Sequence, residues 1–474
     1  MRKRTVAASL LGLLLGWVAF THAPWRGTAP RVPPDIVLIV WDTCRPDRLS
    51  TYGHGRPTTP FLDEFAGDAV LFRNAHAPAP WTPPSHASLF TGLLPWRHGL
   101  TRPFGPNARV RPGLPLLAET LAKGGYETVG VFGNPILSAG TDLDAGFART
   151  VPFYEGQPVK GSGHDALEAL EGWIGRRRAA PAVGRRPLFL FVNLMETHIP
   201  RAPRPEFLRP VLDPGRPPGD LNGASLLDEG DLTRHSLGLD PLPPPLLEAA
   251  GTLYDGACRE VDDVTRRILA LLETERSLDD ALIAVTSDHG EALGEHGLLG
   301  HRLSVHDTVL RIPLVVRWKG HLDGGRVEDA AVRLQDLYPT VLEAAGLEAP
   351  PGTGLDARTL TESPLAPREV VAELDRSGIP FEKLREAFPG ATDEVLEPYL
   401  HSFTAVQDPV GTPGARKYVR VRREGEDGET TLVREELHDL AEDPGELRDL
   451  LLQPLAETDE EALRRLRARV ESLP

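Results

Sequence analysis

Residues 35–42 read Asp-Ile-Val-Leu-Ile-Val-Trp-Asp, six apolar side chains in a row between two acids. A strand with one wet face alternates apolar and polar residues. A strand that is apolar at every position suits the centre of a parallel sheet, covered on both faces. Related runs recur at "PLFLFVNLMETH" (187–198), "ALIAVTSDHGE" (281–291) and "IPLVVRW" (312–318), with a strand-like "VLFRNAHAPA" at 70–79. Helical patterns fall between them. "TTPFLDEFAGDA", "HDALEALEGWIGRRR" and the long "LLEAAGTLYDGACREVDDVTRRILALLE" read as helices, "LPLLAETLAKGGYETVGVFG" as helix, glycine stop and strand, and "LQDLYPTVLEAAG" as a helix stopped by Gly346. Strands alternating with helices predict an α/β fold: a large, doubly wound, mostly parallel sheet flanked by helices. This domain is expected over 35–349. Beyond it, 350–415 are rich in Pro, Gly and charge, and "RKYVRVRREGEDGETTLVREELHDL" (416–440) reads as a hairpin. A smaller C-terminal antiparallel-sheet subdomain with a variable insert is expected over 350–474.

The 474 residues are 41% hydrophobic, enough for a sizeable core, and the formal net charge is −16. The only basic stretches are short, which argues against a nucleic-acid partner. Cys44 and Cys258 stand far apart, so one disulfide is allowed but not implied. "MRKR" precedes an uncharged run from Thr5 to Phe20, the form of an export signal or an N-terminal membrane anchor over 1–23, followed by a linker over 24–34. This predicts an exported, periplasmic or extracytoplasmic protein, membrane-attached if the segment is retained.

Ligands of doubly wound sheets bind beyond the carboxyl ends of the strands. Asp42, His198, Asp288 and His289 end apolar runs there. Asp42 fits either a cation ligand or a helix N-cap. Asp288 and His289 fit either a divalent-cation site or a polar turn with Gly290. Thr82 opens "TPPSHASLFTG", in which Ser85 reads as the N-cap of a helix beginning near His86. The stretch is either a plain helix start or an anion-binding one holding a nucleophile. His198 and His301 are single histidines near strand or loop ends, and each fits a structural role as readily. His296 and His306 carry a weaker signal, and Cys44 reads as a packed thiol.

In order along the chain, "DIVLIVWDTCRPDRLSTYG", "TPPSHASLFTG", "NLMETHIPRAP", "VTSDHGEALGEHGLLGHR" and "ELHDLAEDPGELRDL" resemble the segments of the sulfatase family within the alkaline phosphatase superfamily. The resemblance implies a metal-dependent hydrolase of sulfate or phosphate esters. It implies one divalent cation (Ca, Mg, Mn or Zn) held by Asp42, Asp288 and His289 with Thr82, the nucleophile, also at the metal. It gives His198 and His301 contact with the ester or the leaving group, and it implies a small-molecule, glycan or lipid ester as substrate. The chain departs from the family in four places. Thr43 stands where a second acid often follows the first, His86 replaces an arginine, and His301 falls where a lysine is usual. Thr82 replaces the Cys or Ser that is oxidised to formylglycine. Threonine cannot form that aldehyde, which directs attention to phosphorus. A phosphoethanolamine- or phosphoglycerol-type transferase of the cell envelope and a non-catalytic binding descendant are the alternatives.

Overall fold

The computed structural model describes residues 33–473 apart from 103–107, 139–140, 153–162, 180–184, 216–218, 377–380 and 426–427. The expected signal or anchor over 1–23 and nearly all of the linker lie outside these residues. Among the described residues no helix is long and apolar enough to cross a membrane.

The opening run forms β1 (Ile36–Trp41), and its side chains explain its composition. Ile36, Leu38 and Val40 enter the core on one face of the sheet. Val37, Ile39 and Trp41 enter the core on the other. The remaining strands of this sheet are β2 (Val70–Phe72), β3 (Glu127–Phe132), β4 (Arg149–Pro152), β5 (Leu188–Leu194), β6 (Leu282–Ser287), β7 (Leu314–Arg317) and β8 (Arg326–Glu328). Their spatial order is β8-β2-β7-β6-β1-β5-β3-β4. β1 pairs in parallel with both β5 and β6, and only β7 runs against its neighbours. The expectation of a mostly parallel sheet holds.

Helices cover both faces. α1 (Pro60–Phe65), α4 (Gly163–Ala179) and α6 (Pro244–Glu273) bury Phe65, Trp173 and Val261 with Ile39. α2 (Thr82–Thr91), α3 (Leu117–Lys123) and α7 (Leu337–Ala345) bury Phe90, Leu121 and Val341 with Leu38. A shorter helix, α5 (Glu229–Ser236), precedes α6. Gly346 ends α7 at φ 65°, as its position in the sequence suggests.

The predicted hairpin arms appear as β11 (Lys417–Glu424) and β12 (Thr430–His438). With β9 (Val370–Leu374) and β10 (His401–Gln407) they make an antiparallel sheet in sequential order. α8 (Glu457–Glu471) covers one face through Leu466 and Val470, while Phe403 and Val421 pack with Val305 and Val309. Residues 34–474 form one compact unit. The buried Lys417 pins the small sheet in place, with Nζ 2.9 Å from Asp307 and 2.7 Å from Glu446.

Because β1 is buried on both faces at the centre of the sheet, Ile39→Ala should lower the unfolding free energy by about 2–5 kcal/mol. Urea denaturation would read this as a fall in midpoint at unchanged slope. A cost below about 1 kcal/mol, within what a mild Ile→Val trimming produces, would contradict the packing.

Candidate active site

The register of the two central strands sets the site. Trp41 lies opposite Ser287, so the next residues, Asp42 and Asp288, emerge side by side. Both acids are fully buried. Asp42 Oδ2 accepts hydrogen bonds from Asn134 Nδ2 at 3.0 Å and Asn193 Nδ2 at 3.3 Å, and its Oδ1 has no partner. Asp288 Oδ1 accepts from the Thr43 and His289 amides at 3.2 and 2.9 Å, while its Oδ2 accepts no hydrogen bond and lies 3.5 Å from both His86 Nδ1 and His289 Nε2. His289 bonds the Gly290 carbonyl through Nδ1 at 2.9 Å, which leaves Nε2 3.3 Å from Thr82 Oγ1. Ligand atoms of Asp42, Asp288 and His289 all lie within 4.8 Å of one another. Two buried carboxylate oxygens without donors, an imidazole nitrogen and a hydroxyl fit a divalent cation. Hydrogen bonds from Asn134 and Asn193 to Asp42, and from His289 to the Gly290 carbonyl, hold these groups in the orientation such ligands need.

Without a cation this arrangement strains its own ionisation. Burial, then the Asp288 charge, pushes the Asp42 carboxyl up to about 6. Burial pushes Asp288 up to about 7 against hydrogen bonds from the Thr43 and His289 amides. Burial takes His289 down to about 4.

Thr43 adopts a left-handed backbone, φ 64°, costly for a β-branched residue. The turn aims its amide at Asp288, and Tyr254 Oη holds its carbonyl at 2.6 Å. Its own Oγ1 is buried without a hydrogen-bond partner, at the position where the resemblance leads one to expect a second acid.

The helix start differs from expectation. α2 begins at Thr82 with Trp81 as N-cap, and Ser85 lies inside the first turn. Ser85 Oγ donates to the Asp288 carbonyl at 2.5 Å, so it fastens the helix to the end of β6 instead of capping it. Two of the early positions are Pro83 and Pro84, which have no N–H to offer an anion. What remains there is the dipole and the Thr82 amide. His86 donates Nδ1–H to the Thr82 carbonyl at 3.0 Å, and its ring packs edge-on to Phe191 and Phe90. Burial lowers its pKa to about 3, so His86 adds no positive charge where the resemblance leads one to expect an arginine.

His198 and His301 reach the same place, their ring centroids 5.6 Å apart and His301 4.5 Å from His289. His301 Nδ1 pairs with Glu291 Oε1 at 2.9 Å, and Arg201 binds the other Glu291 oxygen. His198 bonds the Ile199 carbonyl through Nδ1 at 2.7 Å and faces Glu229 with Nε2 at 3.5 Å. Burial depresses both imidazoles, His301 to about 4. Glu229 is held near 2 despite burial, by His301 and then Arg302. The sequence reading did not single out Glu229, Glu291, Arg201, Asn134 or Asn193. Asn193 carried a signal, as the one polar residue inside a buried strand. Cys44 is a packed thiol as expected, and both it and Cys258 are buried and free.

The sulfatase sequence profile matches residues 34–347, two thirds of the chain. The chain belongs to the sulfatase family. N-acetylgalactosamine-6-sulfatase of Homo sapiens is 27% identical over 378 residues, 69% of this chain and 65% of that enzyme. Iduronate 2-sulfatase of Mus musculus is 26% identical over 388 residues, 67% of this chain and 69% of that enzyme. The chain thus spans slightly under two thirds of the human N-acetylgalactosamine-6-sulfatase's length. In fold, this sulfatase-family chain is similar to the phosphonate monoester hydrolase of Agrobacterium radiobacter, with a TM-score of 0.68, 22% identity and coverage of 92% and 95% of the two chains. The phosphonate monoester hydrolase SpPMH from Silicibacter pomeroyi gives a TM-score of 0.67 at 22% identity, covering 93% and 96%.

In chelator, the folded protein holds a proton on Asp288 between about pH 4 and about pH 7 that the unfolded chain has released. That group's contribution to stability is present below pH 4 and is lost as pH rises through the window. Wild type should therefore lose on the order of 1–4 kcal/mol relative to Asp288→Asn between those pH values. Saturating divalent cation should remove the difference in slope. Parallel pH profiles for the two chelated proteins would contradict the burial of this charge.

Proposed function

We propose that the protein hydrolyses sulfate, phosphate or phosphonate monoesters, with Thr82 as nucleophile and one divalent cation held by Asp42, Asp288, His289 and Thr82. The observation that carries this reading is the Thr82 hydroxyl beside His289 Nε2 at the junction of two carboxylates, each with an oxygen that accepts no hydrogen bond. Sulfatase names among the relatives and phosphonate monoester hydrolases among the fold neighbours support the ester class.

When bound, the cation supplies a Lewis acid that lowers the hydroxyl pKa of Thr82 and offsets charge gathering on the ester oxygens. Thr82 Oγ gives up its proton to solvent and forms a bond to phosphorus or sulfur as the bond to the leaving oxygen breaks. His301 is placed to supply the leaving oxygen's proton. Burial keeps His301 neutral in the free protein, so this role needs the negative charge of a bound ester to raise it; the imidazolium would then carry Nε2–H toward the site while Nδ1–H donates to Glu291. The neutral ring left behind can accept a proton from the water that cleaves the Thr82 ester and so return to its starting state. His198, fixed by the Ile199 carbonyl and facing Glu229, is placed to contact the ester's remaining oxygens. Thr82 favours phosphorus, because a threonine sulfate lacks the release route a formylglycine hydrate provides. The expected export, periplasmic or membrane-attached, belongs to the same reading: the substrate would be an extracytoplasmic small-molecule, glycan or lipid ester.

A panel of sulfate, phosphate and phosphonate monoesters and phosphodiesters, assayed with and without chelator, tests the class. Turnover should occur on at least one phosphorus ester and vanish with chelator. Thr82→Ala should reduce kcat/KM by about 10³-fold or more on the preferred ester, while Thr82→Ser keeps measurable activity. Full turnover by Thr82→Ala would sink the mechanism. His301→Ala should cost about 10²–10⁴-fold with poor leaving groups and much less with good ones. An equal loss for both would remove it from proton transfer.

A further inference from the structure

The segment that carries His301 continues away from the site to the C-terminal sheet. It ends at His306, the N-cap of the short helix Asp307–Leu310. There His306 Nε2 and His438 Nε2 point at one carboxylate oxygen, Glu436 Oε2, at 3.6 and 3.4 Å. Glu436 and His438 lie at the end of β12, and the other Glu436 oxygen is held by Arg434 at 2.7 Å. His438 bonds the Arg448 carbonyl through Nδ1 at 3.2 Å. In its neutral form that ring donates Nδ1–H outward and turns a bare Nε2 lone pair toward the carboxylate. His296, in a left-handed conformation at φ 57°, stacks on His306 with centroids 3.9 Å apart. Its side chain bonds the Gly445 carbonyl, and its Nε2 is buried without a partner. These residues line one cavity of about 520 Å³.

Something positive must sit between these lone pairs: the Glu436 contact raises the His438 pKa against burial, so a proton can fill the gap, and a metal ion would take that proton's place. Outward Nδ1 bonds to backbone carbonyls are the arrangement that aims Nε2 at a metal. We propose that His306, Glu436 and His438 bind a borderline transition-metal ion of the zinc class, with the fourth position open to water and His296 stacked on His306 as a wall of the site. The three primary ligand atoms lie within 4.8 Å of one another. Two of their separations, 3.4 and 3.6 Å, approach the edge of a tetrahedron with bonds of about 2.0–2.1 Å. An imidazole-rich set selects zinc over calcium or magnesium. The site shares no residue with the active site, so it stands independently of the ester-hydrolase reading. It would tie β12 of the small sheet to the segment that delivers His301, and so fix the position of that histidine.

The test is zinc content per chain after dialysis of the full-length protein against low zinc, read by elemental mass spectrometry. Wild type should hold one zinc equivalent more than either Glu436→Gln or His306→Gln/His438→Gln. Asp42→Asn/Asp288→Asn, which disables the active-site set, should keep that equivalent. Replacement by Co²⁺ should give visible absorption of tetrahedral cobalt that Glu436→Gln loses. Glu436→Gln is nearly isosteric and carries the test if the double histidine variant fails to fold. Equal zinc content in wild type and Glu436→Gln would overturn the proposal. Loss of the equivalent in Asp42→Asn/Asp288→Asn but not in Glu436→Gln would place it in the active site and overturn it too.

Discussion

Two carboxylates that cannot both be content without a cation organise this protein. Asp42 and Asp288 follow paired residues on neighbouring parallel strands, and each is left with one buried oxygen lacking a donor. An unpaired buried charge costs several kcal/mol, far more than a domain of this kind spares for one contact. The rest of the molecule holds the pair together. Helices on both faces lock β1 and β6 in register through cores that share no residue. Ser85 ties the Thr82 helix to Asp288, and Tyr254 on α6 holds the Thr43 turn. The proposed nucleophile is thus placed by the same strand ends that carry the proposed metal ligands.

The charge around this pair explains the two histidine replacements. His86 sits against Phe90 and Phe191, where burial keeps it neutral, so it serves as core and as a brace on the helix start. His301 also loses the fixed charge of a lysine, but it gains Glu291 as a partner and with it the capacity to exchange a proton. Arg201 pairs with Glu291 and Arg302 with Glu229, so those guanidiniums offset acids already there. Asp42 and Asp288 remain as the uncompensated charge. That excess of acid is the physical reason to expect a cation in the site.

Some of this could be read from the chain and some could not, for physical reasons. A strand buried on both faces must be apolar throughout, so β1, β5 and β6 stood out, and their polar ends marked Asp42, Asp288 and His289. Thr82 has no such signal. A threonine before two prolines is an ordinary helix start, and its role came from the resemblance of the whole segment to sulfatases. The helix start was misplaced because Ser85 has the right type for a cap, while Pro83 and Pro84 fit the first turn equally well. The left-handed Thr43 breaks local preference and is held only by tertiary bonds to Asp288 and Tyr254. Glu229 reaches His198 from a segment whose composition carries no pattern, across 31 positions of chain.

The most direct measurement is a crystal of the full chain grown with Mn²⁺ and phased for its anomalous signal. The account predicts an anomalous peak bounded by Asp42, Asp288 and His289, with Thr82 Oγ1 in its coordination shell. A peak that excludes Thr82, or none at these three residues under saturating Mn²⁺, would contradict it.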